Sequence, residues 1–146
     1  MNFLEINGSS RQNSNSEFMA KKLLQGIPHE QIKLGQYIIH PIDDQRHSGK
    51  TWSIDDDDYL EVLEKMLEAD TLIFTTPIYC YGISGLLKNF IDRWSQTLAT
   101  MPKFRQQARN KSIYLMIVGG DCPFIKGLPI IQQFTYICQF LDWKFG

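Results

Sequence analysis

Ten residues near the amino terminus, Asn7-Gly8-Ser9-Ser10-Arg11-Gln12-Asn13-Ser14-Asn15-Ser16, carry a density of hydrogen-bond donors that points to anion binding. Ser9, Ser10, Ser14 and Ser16 supply hydroxyls, Asn13 and Asn15 supply amides, and Arg11 supplies a planar charged fork suited to phosphate oxygens. The stretch holds no carboxylate. It follows a short apolar run and precedes a helical pattern that starts near Glu17. A strand leading into such a loop and then a helix aims free backbone N–H groups, with about half a positive charge, at the space before the helix. The plainer explanation is a solvated turn in which Ser16 or Asn15 caps the helix, but one cap needs only one hydroxyl. The loop lacks the Lys-Ser or Lys-Thr of a P-loop and the bare glycines of Gly-x-Gly-x-x-Gly. Many hydroxyls suit a terminal monophosphate, so a mononucleotide is the first candidate ligand.

Two later loops carry the other ligand-type chemistry. Thr76-Pro77-Ile78-Tyr79-Cys80-Tyr81-Gly82 follows the apolar run from Thr71 to Thr75. Pro77 stiffens its backbone, Gly82 and Gly85 permit close approach, and Tyr79 and Tyr81 bring aromatic faces to a strand's carboxyl end, where open α/β sheets bind ligands. Either tyrosine alone is also explained by loop packing. Gly119-Gly120-Asp121 follows the apolar run from Ser112 to Val118 and lets backbone amides lie against a flat ring edge, or it is a plain strand exit. Trp52, in a long polar stretch from Ile42 to Asp58, either covers a bound ring or folds back on the core. Asp55 to Asp58 read as helix caps rather than as metal ligands. Cys122 has no histidine at a local spacing and is a poor nucleophile.

These loops need strands and helices to hold them. The patterns predict a first strand at Asn2 to Ile6, a helix from Ser16 to Gln25 stopped by Gly26 and Pro28, and a second strand from Gln31 to His40. Tyr59, Val62, Leu63, Met66 and Leu67 mark a second helix. A third is expected from Ser84 to Leu98, its stripe of Leu86, Leu87, Phe90, Ile91, Trp94 and Leu98 wide enough for core and for a subunit contact. Lys88, Asp92 and Arg93 fall on its more polar side, as i, i+4 or interface pairs. Thr100 to Lys111, with Lys103, Arg105, Arg109 and Lys111, reads as a basic loop, solvated or attracting nucleotide phosphates. A fourth helix runs from Pro129 to Phe140, and Asp142 to Gly146 starts a fifth strand. Alternating strands and helices predict an α/β three-layer sandwich around a parallel sheet.

The 146 residues suit one domain, and 43% hydrophobic with 21% charged residues is a globular composition. A net charge of −1 gives no reason to expect nucleic acid, and no apolar run reaches the ~20 residues of a membrane span. No signal-peptide pattern opens the chain, so the cytoplasm is the expected compartment. Cys80, Cys122 and Cys138 form no Cys-x-x-Cys, which argues against a disulfide framework or a metal site.

Three motifs together, Gly8 to Ser16, Thr76 to Gly82 and Leu87-Lys88-Asn89-Phe90-Ile91-Asp92-Arg93-Trp94, with Gly119-Gly120-Asp121 as a weaker fourth, resemble the NAD(P)H-dependent FMN reductase family of the flavodoxin-like fold. The resemblance runs the length of the chain. It implies sheet order 2-1-3-4-5 and a non-covalent FMN, its phosphate held by Ser9, Arg11, Asn13, Ser14, Asn15 and Ser16. Pro77, Ile78, Tyr79, Cys80, Tyr81 and Gly82 would hold the ribityl chain and one side of the isoalloxazine, and Gly119, Gly120 and Asp121 the other edge. It implies hydride transfer from NADH or NADPH to flavin N5, and onward transfer to quinones, azo or nitro compounds, free flavins or metal ions. No protein acid or base is required. Homodimers, with the helix after the tyrosine loop at the interface, are implied too. Ile42 to Asp58 lacks the clustered cysteines of related iron–sulfur flavoproteins. The family's full fifth strand and last helix are short or missing here, so one sheet face is expected to be thinly covered, or covered by a partner chain. The competing reading is a flavodoxin-type electron carrier, against which the near-neutral charge argues. A non-catalytic phosphate-ligand sensor is a third.

Overall fold

Short runs, the central ones mostly apolar, become the strands of one sheet in this computed structural model, which describes residues 1–52 and 56–146. The strands are β1 (Phe3–Asn7), β2 (Glu30–Lys33), β3 (Thr71–Pro77), β4 (Ser112–Val118) and β5 (Lys144–Phe145). All four pairings are parallel and the order is β2-β1-β3-β4-β5, as the flavodoxin-like resemblance implied. The connecting helices are α1 (Asn15–Leu23), α2 (Tyr59–Glu68), α3 (Gly85–Asp92), α4 (Trp94–Thr100), α5 (Phe104–Ala108), α6 (Pro123–Lys126) and α7 (Leu128–Leu141).

Alternate residues of each strand divide between two faces. Leu4, Ile6, Ile32, Leu72, Phe74 and Ile113 join Val62, Leu63 and Met66 of α2, Leu87 and Phe90 of α3, and Ile130 and Phe134 of α7 in one buried cluster. Phe74 lies with its ring centroid 5.0 Å from that of Phe134. Burying each such side chain contributes roughly 1.5–3 kcal/mol. On the opposite face α1 buries only Ser16 and Ala20 fully. Tyr114 stays 50% exposed there, and it lines a trough of about 350 Å³ with Phe3, Leu23, Leu24, Ile27, Ile73 and Met116. Within this chain the α1 face of the sheet is less covered than the opposite one. Thr75 is also on this side, paired with Asn7, and its hydroxyl is covered without a hydrogen-bond partner among the described residues. Leaving a buried hydroxyl unpaired costs about 1–3 kcal/mol. Thr75→Val, an isosteric change, is therefore expected to stabilise the fold by about 1 kcal/mol. A raised urea midpoint at constant m-value would show this, and a lowered midpoint would contradict it.

Several boundaries differ from the sequence expectation, each for a local reason. β2 ends at Lys33, and a 3-10 turn, Leu34–Gln36, takes the place of the predicted continuation to His40. Its partner β1 has already left the sheet at Asn7, so no ladder remains to extend it. The predicted third helix is two, α3 and α4, joined at Arg93. Lys88 and Asp92 do form the expected i, i+4 pair, at 2.5 Å. Arg93 is not on a polar surface: it is 2% exposed, and its Nη1 lies 2.8 Å from a carboxylate oxygen of Asp57, whose side chain is 1% exposed. The guanidinium also donates to Gln96 Oε1 at 2.6 Å and to the His40 carbonyl at 3.2 Å, and stacks 4.4 Å from the Tyr59 ring centroid. Asp57 and Asp58 cap α2 less than they fasten the preceding segment. Asp57 accepts the N–H groups of His40 and Tyr59, and Asp58 accepts that of Ile38. Asp55 lies outside the described residues.

The basic stretch from Thr100 to Lys111 is not an open loop. α5 buries Phe104 and Ala108, and Lys111 is buried, its Nζ donating to the carbonyls of Leu67 and Ala69. Burial pushes the Lys111 ammonium pKa down. Lys111 is thus a packing residue and is withdrawn from any role toward nucleotide phosphates.

Candidate functional site

The first loop leaves β1 at Asn7 and is held at both ends by carboxylates. Asn7 donates to Glu5 Oε1 at 3.0 Å and accepts the Ser9 N–H on its own amide oxygen at 2.9 Å. Glu5 is fully buried and also accepts from Gln31 on β2. Gly8 passes so close to α3 that a Cβ there would stand 2.7 Å from Ser84 Oγ and 3.0 Å from Leu87 Cβ. Its N–H is bound to the Thr75 carbonyl at 2.8 Å, which ties the first loop to β3. Asn13 then takes a left-handed conformation, φ 52°, and gives its N–H to Glu17 Oε2 at 3.2 Å. Ser14 is the cap of α1, accepting the Glu17 N–H at 3.1 Å. This corrects the sequence reading, which weighed Ser16 and Asn15 for that cap. Ser9 to Ser14, with Asn7, Glu17, Lys33, Gly35 and Gln36, line a cleft of about 340 Å³. Asn15 and Ser16 lie in the first turn of α1 and do not line it.

The second loop is a two-residue reversal at the end of β3. Tyr79 and Gly82 exchange two backbone hydrogen bonds, of 3.0 and 2.9 Å. Cys80 (φ 47°) and Tyr81 (φ 65°) are both left-handed, the type I′ geometry for which glycine or asparagine is usual. Non-glycine residues there cost of order 1–3 kcal/mol each, strain of the kind that collects at ligand sites. The turn leaves Tyr79 51% and Tyr81 61% exposed at the sheet's carboxyl edge. The third loop faces the second: the Ile78 N–H donates to the Val118 carbonyl at 2.8 Å. A Cβ on Gly119 would lie 2.9 Å from Ile78 Cδ1. Ile78, Cys80, Tyr81, Gly119, Gly120 and Asp121 line a second cleft of about 340 Å³ with Lys126, which pairs with Asp121. Pro77, Tyr79 and Gly82 shape the loop without lining this cleft. Trp52 is half-buried.

Glu5, Glu17 and Lys33 had no place in the site read from sequence, and Asn7 stood there only as the first residue of its loop. One signal was available: Ser14-x-x-Glu17 has the spacing of a capping box, in which the glutamate reaches back to the chain before the helix. The donor set fits an FMN phosphate, since amides, hydroxyls and Arg11 converge on a polar cleft before a nine-residue helix. The glycine-lined second cleft, rimmed by Tyr81, fits a flat ring.

A parallel sheet in this order, with donor, aromatic and glycine loops at the carboxyl ends of β1, β3 and β4, defines a flavodoxin-like nucleotide-binding protein. The profile of the NADPH-dependent FMN reductase family matches residues 1–122. A Bacillus subtilis protein named as an NAD(P)H-dependent FMN-containing oxidoreductase, YwqN, is 47% identical over 99% of this chain and 81% of its own length. A Pelagibacter ubique FMN-dependent NADH:quinone oxidoreductase is 33% identical over 82% of this chain and 72% of its own. The solved structure of the Trp repressor binding protein from Bacillus subtilis superposes with a TM-score of 0.79 at 41% identity, covering 98% of this chain and 79% of that one. The chain belongs to the NADPH-dependent FMN reductase family and is an NAD(P)H-dependent FMN-containing oxidoreductase.

Proposed function

We propose that residues 1–146 form one FMN-binding domain that takes electrons from NADH or NADPH and passes them to a small diffusible acceptor. The acceptor class is a quinone, an azo or nitro compound, a free flavin or a metal ion. The observation that carries this is the pre-formed phosphate loop, held open at both ends before α1. Ser9, Arg11, Asn13 and Ser14, which line the first cleft, are assigned to the phosphate, with Asn15 and Ser16 assigned to it through the backbone N–H groups of the first turn of α1. Pro77, Ile78, Tyr79, Cys80, Tyr81 and Gly82 are assigned to the ribityl chain and one side of the ring, and Gly119, Gly120 and Asp121 to its other edge. FMN, when bound, supplies the redox chemistry, and the protein supplies position and electrostatics. The strained turn at Cys80 and Tyr81 fixes the direction of the aromatic wall, and Gly119 with Gly120 admits backbone amides to the ring edge. No side chain is assigned as acid or base.

A homodimer in the cytoplasm is proposed on the family resemblance. Most of the apolar stripe expected at its interface is used inside this chain: Leu87, Phe90, Ile91 and Trp94 are buried, and Leu98 remains exposed. No described helix is long and apolar enough to cross a membrane.

Anaerobic mixing of the purified yellow protein with NADPH or NADH separates reductase from carrier. Fast loss of the flavin's visible absorbance, followed by recovery on adding a quinone, is the expected result. Absorbance that persists over minutes with either nucleotide would favour an electron carrier.

A further inference from the structure

Glu17 puts a negative charge at the rim of the cleft assigned to a phosphate dianion, and the fold answers it from a neighbouring strand. One carboxylate oxygen of Glu17 holds the Asn13 N–H, and the other is paired with Lys33 Nζ. All three residues line the same cleft as Arg11. Lys33 closes β2 level with Asn7, where β1 gives way to the loop. Lys21, one turn along α1, adds a weaker attraction to Glu17.

We propose that Lys33 is a positioning residue for the phosphate loop: by neutralising Glu17 it lets a carboxylate hold the loop in shape without repelling the ligand. The inference rests on the phosphate assignment made above. The loop needs an acceptor at this point because Asn13 is left-handed and its N–H faces back toward α1. A carboxylate is the strongest acceptor available, and the one most hostile to a dianion when left alone. The hydrogen bond from Lys33, ahead of its simple attraction, keeps the Glu17 carboxyl below its ordinary pKa, so it is charged at neutral pH and must be balanced. Removing the ammonium alone should weaken FMN, and removing both charges should not.

The test is fluorescence titration of the flavin-stripped full chain with FMN and, separately, with riboflavin, which lacks the phosphate. Wild type is expected to prefer FMN strongly. Lys33→Met is expected to weaken FMN about tenfold and leave riboflavin within about twofold, the size of one unscreened neighbouring charge at a partly exposed site. Lys33→Met with Glu17→Gln is expected to return FMN to within about threefold of wild type, because the amide oxygen still accepts the Asn13 N–H. Lys33→Arg and Glu17→Gln alone are expected to keep the preference for FMN, which covers the case of a poorly folding methionine variant. Equal losses for both flavins in Lys33→Met, or no recovery in the double variant, would overturn the inference while leaving the phosphate assignment intact. A wild type that binds both flavins equally would overturn both.

Discussion

Gly8→Val is expected to weaken FMN binding about a hundredfold, the scale of a 1 Å misplacement in a pre-organised site. The position has no room for a side chain: the first added carbon meets Ser84 Oγ at 2.7 Å and Leu87 Cβ at 3.0 Å. Neither neighbour can yield cheaply. Ser84 caps α3 by accepting the Leu87 N–H at 3.2 Å, and its own N–H is bound to Thr76 Oγ1. Leu87 is fully buried. The loop must move instead, carrying the Ser9 N–H away from the Asn7 oxygen that aims it. Overpacking of this kind also costs about 1–3 kcal/mol of stability. The discriminating measurement is equilibrium dialysis of FMN at a temperature where circular dichroism shows the variant folded. Wild-type affinity in the folded variant would mean that Gly8 does not set the loop.

Asp57→Ala is expected to lower the unfolding free energy by about 3 kcal/mol, as for other broken buried ion pairs. For a chain of this size that is a Tm lower by roughly 10 °C. The substitution takes a carboxylate from a guanidinium 2.8 Å away and frees the N–H groups of His40 and Tyr59. The pH dependence has a defined sign. Burial acts to raise the Asp57 pKa, but the His40 N–H, the Arg93 guanidinium and the Tyr59 N–H outweigh it and hold the carboxyl below its ordinary value. A depressed folded-state pKa contributes stability that is full above about pH 4 and fades as pH falls through the folded value. The gap between wild type and Asp57→Ala in urea should therefore be constant near neutrality and shrink in acid. A gap under about 1 kcal/mol at pH 7 would show that the guanidinium's other contacts suffice.

The three loops proposed to hold the ligand stood out in the sequence because donors, tyrosines and paired glycines are local signals, set where apolar runs stop. β4 was read to the residue for the same reason. What escaped was decided by distant parts of the chain. Arg93 sits at a helical position that looks polar, yet a carboxylate 36 residues upstream draws it inside. Lys111 looked like one more surface base until two carbonyls at the carboxyl end of α2 accepted it. The alternation of Tyr37 and Ile39 continued the β2 pattern past the point where β1 could pair with it. Glu5 interrupts the apolar run from Phe3 to Ile6, and its purpose shows only once Gln31 and Asn7 lie beside it. In each case the residue type was plain and its partner was not.

The most direct measurement is a crystal structure of the full chain with FMN. The phosphate is expected within hydrogen-bonding distance of the backbone amides between Ser9 and Ser14, with Arg11 closed over it and the ring against Tyr81, Gly119 and Gly120. Flavin density anywhere else, or a phosphate pointing into solvent while the ring binds, would contradict the site described here.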